Sequence, residues 1–160
     1  MLARRAYSVA ELRRALHRKF GATEEVRRAI TRLRELGYLD DRKFAEHYAS
    51  SLLRNRSFGR LRIRRELKAK LVDYRHIEPA LQQAFEDTDE GELLARALEK
   101  KLRSLHLPLT ASRLASLCHS LMRRGFRPDD IIKAVRSRPE LRPVAEEVEL
   151  ETDTAGTQHS

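Results

Sequence analysis

The sequence has a single cysteine and no long apolar run, and each scarcity removes a class of protein. One cysteine, Cys118, cannot form an internal disulfide, and this usage suits the reducing cytosol. No stretch approaches the roughly 18–20 consecutive apolar residues of a membrane span, and no signal-peptide pattern opens the chain. We therefore expect a soluble, cytoplasmic protein that does not contact a membrane.

Motifs for strands, nucleotide binding and metals are also missing. There is no alternating run of Val, Ile, Thr or Tyr and no Asn-Gly turn, so the sequence predicts an all-α fold. Neither a P-loop nor a Gly-x-Gly-x-x-Gly motif occurs, and the six histidines never stand at the spacing of a helical metal site. Cys118 has leucines on neighbouring helical turns, which favours a buried position over a nucleophile. We expect no enzyme activity, no cofactor and no metal.

Two pairs of acids, Asp40-Asp41 and Asp129-Asp130, resemble catalytic or Mg²⁺-binding carboxylates. Each pair lies just before or within the first turn of a predicted helix. Acidic residues at that position cap the helix and complement its positive end, so capping explains both pairs.

What the chain does have is an internal repeat with a period of about 50 residues. The shared pattern is two apolar residues four apart, a basic residue before a turn, and then an apolar residue, an alanine and an apolar residue on the next helix. Fixed periods of this kind indicate an array of units that bury their apolar faces against their neighbours. The three copies are Leu12, Leu16, Lys19, Val26, Ala29 and Ile30; Ile63, Leu67, Lys70, Ile77, Ala80 and Leu81; and Leu117, Leu121, Arg124, Ile131, Ala134 and Val135.

The repeat and the helix signals predict the organisation of the chain. Ser8 and Glu11 form a capping box, and Gly37 suits a left-handed helix end, after which Tyr38 and Leu39 pack inward. The predicted helices cover residues 8–20, 23–36 and 41–54, then 60–71, 75–85 and 89–105, and then two helices after 110. We predict a three-helix unit at 1–56, a three-helix unit at 57–107, a truncated two-helix unit at 108–139 and an acidic disordered tail at 140–160.

Positive charge is the strongest remaining signal. The net charge is +9 and the pI about 10.2, but residues 1–139 carry +14 and residues 140–160 carry −5. Any single base is best explained as part of a solvated helix face. Together they self-repel unless an acidic partner neutralises them, because Arg54 to Lys70 holds eight bases and only Glu66 as an acid. The predicted partner-binding residues are Arg54, Arg56, Arg60, Arg62, Arg64, Arg65, Lys68, Lys70, Arg123, Arg124 and Arg127.

Few aromatic residues are available to stack on nucleic-acid bases. Phe44, Tyr38 and Tyr48 occupy apolar stripes, and we expect them in the core. Phe58 stands in a basic loop, and its role is left open between packing and base stacking.

Several runs of the chain resemble the RecX family of recombinase regulators over about residues 4–138. The combination is more specific than any of its parts. The runs are Ser8-x-x-Glu11-Leu12, Leu33-Arg34-Glu35-Leu36-Gly37-Tyr38-Leu39-Asp40-Asp41 with Phe44-Ala45, Ile63-Arg64-Arg65-Glu66-Leu67-Lys68-Ala69-Lys70, and Arg123-Arg124-Gly125-Phe126.

The resemblance implies tandem three-helix units in an elongated, curved, right-handed-type helical array. It also implies a monomer that binds along the groove of a RecA–single-stranded DNA filament, with weaker contacts to single-stranded or duplex DNA phosphates. Such a protein suppresses strand exchange and ATP hydrolysis and so modulates DNA repair and recombination. The sequence departs from the family pattern at Leu71, where glycine is usual, so we expect a differently formed turn there, and in its short third unit.

An alternative of another class is an autonomous, basic DNA-binding helical protein that acts without RecA, because three-helix units with a basic helix resemble helix-turn-helix modules. The most basic helix, at 60–71, is the first of its predicted unit and lacks the Asn and Gln residues that often read base edges. These features favour the filament regulator.

Overall fold

The structure is a computed structural model, and it describes residues 6–147. Within that range it contains helices and no strands, as the sequence predicts. None of these helices is both long and apolar enough to cross a bilayer. In chain order the helices are α1 (Val9–Phe20), α2 (Glu24–Glu35), α3 (Asp41–Arg56), α4 (Arg60–Ala69), α5 (Tyr74–Ala84), α6 (Glu90–Leu102), α7 (Ala111–Arg123) and α8 (Pro128–Arg136).

The helix ends follow local sequence signals. Ser8 and Glu11 form the predicted capping box at α1, which satisfies backbone N–H groups that the helix itself leaves without partners. Thr23 and Asp89 accept hydrogen bonds from the first turns of α2 and α6 in the same way. Gly37, with a φ of +75°, ends α2 in the left-handed conformation that glycine adopts without steric cost.

The chain forms two compact units, and the division falls inside α4. The first unit comprises residues 6–56 and 63–88, and in it α3 packs against α5 while α1 packs against α2. Leu12, Val26, Ile30 and Leu39 form one buried cluster under α1 and α2. The other core side chains of this unit are Phe44, Ala45, Ala49, Leu53, Ile63, Leu67, Val72, Ile77, Ala80, Leu81 and Phe85.

The second unit comprises residues 57–62 and 89–147, with α6, α7 and α8 in mutual contact. Its core contains Leu93, Leu94, Leu98, Leu109, Leu114, Leu117, Leu121, Phe126, Ile131, Val135 and Leu141. Nearly all apolar positions of the sequence repeat are therefore buried.

The acidic end of the chain begins differently from the sequence-based expectation of disorder from residue 140. Residues 142–147 are helical, and the side chain of Leu141 is fully buried. Leu141 is an apolar side chain that the charge pattern around it obscured, and its burial fixes the start of this helical stretch. The rest of the predicted tail lies outside the described residues.

The exposure of Tyr38 also departs from expectation. Tyr38 is 70% exposed, and Phe20 and Leu36 are more than half exposed. After the left-handed Gly37, the N–H groups of Tyr38 and Leu39 both donate to Leu33 O, and only Leu39 reaches the core. The prediction that Tyr38 packs inward is wrong. Phe44 is buried and stacks on the half-buried Tyr48 at 5.5 Å, as expected for core aromatics.

Candidate functional site

The eleven predicted partner-binding bases are divided between the two units. The first unit carries Arg54, Arg56, Arg64, Arg65, Lys68 and Lys70, and the second carries Arg60, Arg62, Arg123, Arg124 and Arg127. Within each unit these side chains differ in exposure: some are half-buried and others are exposed.

In the second unit, the side chain of Phe58 lies between two guanidinium groups. The carbon at the centre of the Arg62 guanidinium is 5.2 Å from the ring centroid, and that of Arg124 is 5.7 Å away. Arg124 also donates to the carbonyl of Ser57 at 3.3 Å. Contacts of this kind contribute about 0.5–1 kcal/mol each at partly exposed sites. Phe58 is half-buried, so this ring is an internal support for the two bases.

Next to Phe58 in the chain, the backbone that precedes α4 is in direct contact with the backbone at the end of α7. The Gly59 N–H donates to Arg124 O at 2.8 Å, and the Leu61 N–H donates to Gly125 O at 3.2 Å. A Cβ at Gly59 would lie 2.5 Å from Gly125 O, and a Cβ at Gly125 would overlap the backbone of Arg62. Glycine is therefore required on both sides of the contact. The two glycines are far apart in the sequence, and no pattern there predicts this contact.

In the first unit, hydrogen bonds join the N-terminus of α1 to the C-terminal end of α4. The Ser8 hydroxyl, which is fully buried, donates to the carbonyl of Lys70. The Lys70 ammonium in turn donates to the Glu11 carboxylate at 3.2 Å and lies 5.7 Å from the Tyr48 ring centroid. Lys70 and Glu11 are each no more than 20% exposed, so this base serves the fold.

The two contacts are the same feature of the repeat, formed twice. Ser8 and Gly59 stand 51 residues apart, and Lys70 and Arg124 stand 54 apart, which are the offsets of the repeat. In both units, a residue before one helix donates to the carbonyl of the basic residue that ends a later helix. The shared contact uses only the main-chain carbonyl, but the basic side chains also contact residues of their own unit: Lys70 contacts Glu11 and Tyr48, and Arg124 contacts Phe58 and Ser57. The recurrence of the base was visible in the sequence, but the side chain's partner was not.

Other predicted bases on α4 also have internal partners. Arg64 forms a bidentate salt bridge with Glu78, with N–O distances of 2.6 and 2.9 Å. The Arg60 backbone N–H donates to Glu90 at 2.9 Å, and its side chain lies 3.7 Å from the same carboxylate. The bases that remain exposed are Arg54, Arg56, Arg65, Lys68, Arg123 and Arg127.

The acidic pairs that resembled a catalytic or metal site have structural roles. Asp40 accepts from the Lys43 N–H, and this hydrogen bond lowers the pKa of the Asp40 carboxyl. Asp41 accepts from the Val9 N–H at 2.8 Å and so joins α3 to α1. Asp129 and Asp130 lie in the first turn of α8, where their charge complements the positive helix end, but the N-cap residue of α8, Arg127, makes no side-chain capping hydrogen bond. Among residues 6–147, no group of His, Cys, Asp and Glu side chains is placed to hold a metal ion.

The single thiol shows no sign of activation. Cys118 is partly buried on α7, and burial raises the pKa of its thiol. A reactive cysteine needs the opposite shift, toward the thiolate.

Comparison with known proteins shows which helices belong to the same three-helix domain. The model of the RecX family's second three-helix domain matches residues 40–81, which contain α3, α4 and most of α5. The sequence-based units instead placed α3 in 1–56, with α4 and α5 in 57–107. A repeated helix pair cannot tell whether the helix between two copies belongs to the earlier or the later copy. The close packing of α3 on α5 favours the later one.

The similarity extends over most of the chain. A regulatory protein RecX from Trichlorobacter lovleyi is 33% identical over 130 residues, covering 81% of this chain and 84% of that protein. One from Chlorobaculum tepidum is 36% identical over 136 residues, covering 85% and 82%.

Solved structures give the same fold. A crystal structure of regulatory protein RecX superposes with a TM-score of 0.71 at 20% identity, covering 86% of this chain and 66% of that one. RecX from Lactobacillus salivarius gives 0.65 at 19% identity, covering 93% and 90%. With this coverage and identity to curated relatives, the chain belongs to the RecX family of regulatory proteins.

Proposed function

We propose that this protein binds the filament that RecA recombinase forms on single-stranded DNA and inhibits its recombinase and ATPase activities. In this role it is a regulator without chemistry of its own. The expectation of RecA as the partner rests on the family, and exposed basic side chains on α4 support it.

The observation that carries the proposal is the exposure of two basic side chains on α4. Arg65 and Lys68 are exposed on α4. On the same helix Arg64 pairs with Glu78, and just after the helix Lys70 pairs with Glu11. The internal pairs fix the helix, and the exposed bases present positive charge on a rigid element. A filament surface of carboxylates or phosphates would be complementary to that charge.

A double charge reversal tests this surface. We expect Arg65→Glu with Lys68→Glu to raise the protein concentration needed for half-inhibition of RecA's DNA-dependent ATPase by at least about tenfold, which corresponds to a loss of roughly 1.4 kcal/mol. The matched control is Arg14→Glu with Arg18→Glu, which reverses two exposed bases on α1 of the same unit. Circular dichroism should show that both variants remain helical.

Two results would count against the proposal. If both variants lose inhibition equally, net charge rather than this surface is responsible. If the wild-type protein inhibits only after it has coated all of the DNA, it competes for DNA and does not act on the filament.

A further inference from the structure

A groove between the end of α6 and one face of α7 has features that the regulatory function does not use. Its volume is about 440 Å³, within the range of small-ligand sites. The lining residues are Lys101, Ser104, Leu105, His106, Arg113, Ser116, Leu117 and Ser120. None of them belongs to the predicted partner-binding set.

The polar lining consists of hydrogen-bond donors and potential cations without any carboxylate. Lys101 comes from α6, His106 from the following loop and Arg113 from α7, so three separate segments bring a basic side chain to one groove. Within residues 6–147, the Lys101 ammonium and the Arg113 guanidinium have no ion-pair partner, in contrast to Arg64 and Lys70. Like charges gathered in this way repel one another, and an anion removes that cost.

The hydroxyl groups add neutral donors beside the charges. Ser116 and Ser120 lie three and seven residues after Arg113, which places all three on one face of α7. In the described part of the chain, neither hydroxyl has a hydrogen-bond partner. A phosphate group accepts hydrogen bonds on several oxygens and suits a mixed set of guanidinium, ammonium and hydroxyl donors.

The floor of the groove is apolar and distinguishes a nucleotide from a bare anion. Leu117 is 4% exposed and Leu105 is half-buried, and both line the groove. Sugar and base faces can pack on such side chains while the phosphate meets the donors. An acidic peptide would engage the same donors through its carboxylates but would bring no sugar or base to the apolar floor.

We propose that this groove is a phosphate-binding site that takes one nucleotide phosphate of a single-stranded nucleic acid. The site does not depend on RecA. It can therefore be tested with the full chain and DNA alone, and its failure would leave the filament proposal untouched.

The test is the salt dependence of binding to a fluorescent oligothymidylate, measured by anisotropy. Each phosphate contact on a single strand contributes about 0.7 to the slope of log affinity against log salt. We expect Lys101→Gln with Arg113→Gln to reduce that slope by up to about 0.7, because the groove takes one phosphate. The control, Arg96→Gln with Lys100→Gln, removes two exposed bases of the same unit that do not line the groove, and should leave the slope nearly unchanged.

Inorganic phosphate separates the two sources of the anion. We expect phosphate to shift the amide NMR signals of Ser104, Arg113 and Ser116 in the wild-type protein and not in the groove variant. Phosphate shifts without any slope difference would mean a site for free phosphate, which keeps the chemistry and overturns the nucleic-acid assignment. Equal slopes for both variants without phosphate shifts would overturn the whole proposal, as would an oligoglutamate peptide that binds the groove more tightly than the oligonucleotide.

Discussion

A single backbone conformation, that of Leu71, shows how one residue departs from the family pattern without changing the turn. Leu71 has a φ of +58°, and the N–H groups of Leu71 and Val72 donate to Lys68 O and Leu67 O. This is the Schellman helix end that glycine usually forms, and Gly125 forms it at the equivalent position after α7. The expectation of a differently formed turn is therefore wrong, and the leucine carries backbone strain instead.

The strain at Leu71 predicts that glycine gives a more stable protein than alanine at this position, which is the reverse of their order within a helix. We expect Leu71→Gly to be more stable than Leu71→Ala by about 1 kcal/mol, because both lose the side chain but only glycine relieves the left-handed conformation. Urea denaturation of the two variants gives the difference directly. Two positions earlier, Ala69 ends α4, and there Ala69→Gly should destabilise by up to about 1 kcal/mol. If alanine were the more stable at position 71, the left-handed conformation would not be strained.

Gly125 is constrained by its positive φ and by close packing, whereas Gly37 is constrained by its positive φ alone. Both have positive φ, but a Cβ at Gly37 meets no atom within 4 Å, whereas one at Gly125 overlaps Arg62. We expect Gly37→Ala to cost about 1 kcal/mol from the backbone conformation alone. Gly125→Ala should cost about 3 kcal/mol, because the segment before α4 must also move away.

Amide hydrogen exchange shows where in the protein Gly37→Ala and Gly125→Ala each lower the stability. The Gly125→Ala loss should be largest at the Gly59 and Leu61 amides, whose acceptors lie at the end of α7. Equal losses for the two variants would show that the close backbone contact contributes nothing.

At the scale of the element, the joint between α1 and α4 depends on Ser8 in two ways. Its hydroxyl caps α1 and also donates to Lys70 O, whereas Thr23 caps α2 alone. Losing a cap costs about 1 kcal/mol, and leaving a buried carbonyl without its donor costs about 1–3 kcal/mol more.

We therefore expect Ser8→Ala to destabilise by about 2–4 kcal/mol and Thr23→Ala by about 1 kcal/mol. Denaturant midpoints with unchanged slopes would provide both values. A Ser8→Ala cost no greater than that of Thr23→Ala would mean that the hydrogen bond from Ser8 to the Lys70 carbonyl contributes nothing to stability.

The elements were predictable from the sequence to the extent that their signals are local. The capping residues Ser8, Thr23 and Asp89 and the glycine end of α2 act within a few positions, so pattern reading places the helices to within a few residues. Contacts between distant segments were not predictable. Nothing beside Lys70 in the sequence points to Glu11, 59 residues away, and nothing beside α3 says that it packs on α5.

The candidate site was predictable only as a charge pattern. Composition and spacing identify the eleven bases, but the exposure of Lys68 and the burial of Lys70 depend on which helix faces the neighbouring segment. Separating the two classes required the structure. The sequence also offered no reason to single out the groove of Lys101 and Arg113, because its members come from three segments with no shared motif.

At the scale of the whole molecule, one repeat supplies both the fold and the charge. The residue that recurs before each turn joins copies of the repeat at Lys70 and Arg124, and other bases, such as Arg65 and Lys68, are exposed. The +14 charge of residues 1–139 is therefore divided between internal joints and exposed bases. Our account is that the exposed bases serve to bind RecA filaments.

The most direct test is an order-of-addition ATPase assay with the protein far below the RecA concentration. We predict that it inhibits ATP hydrolysis when added to preformed filaments on single-stranded DNA, at a ratio too low to cover the DNA. Inhibition that appears only when the protein meets the DNA before RecA, and only at saturating amounts, would contradict this account.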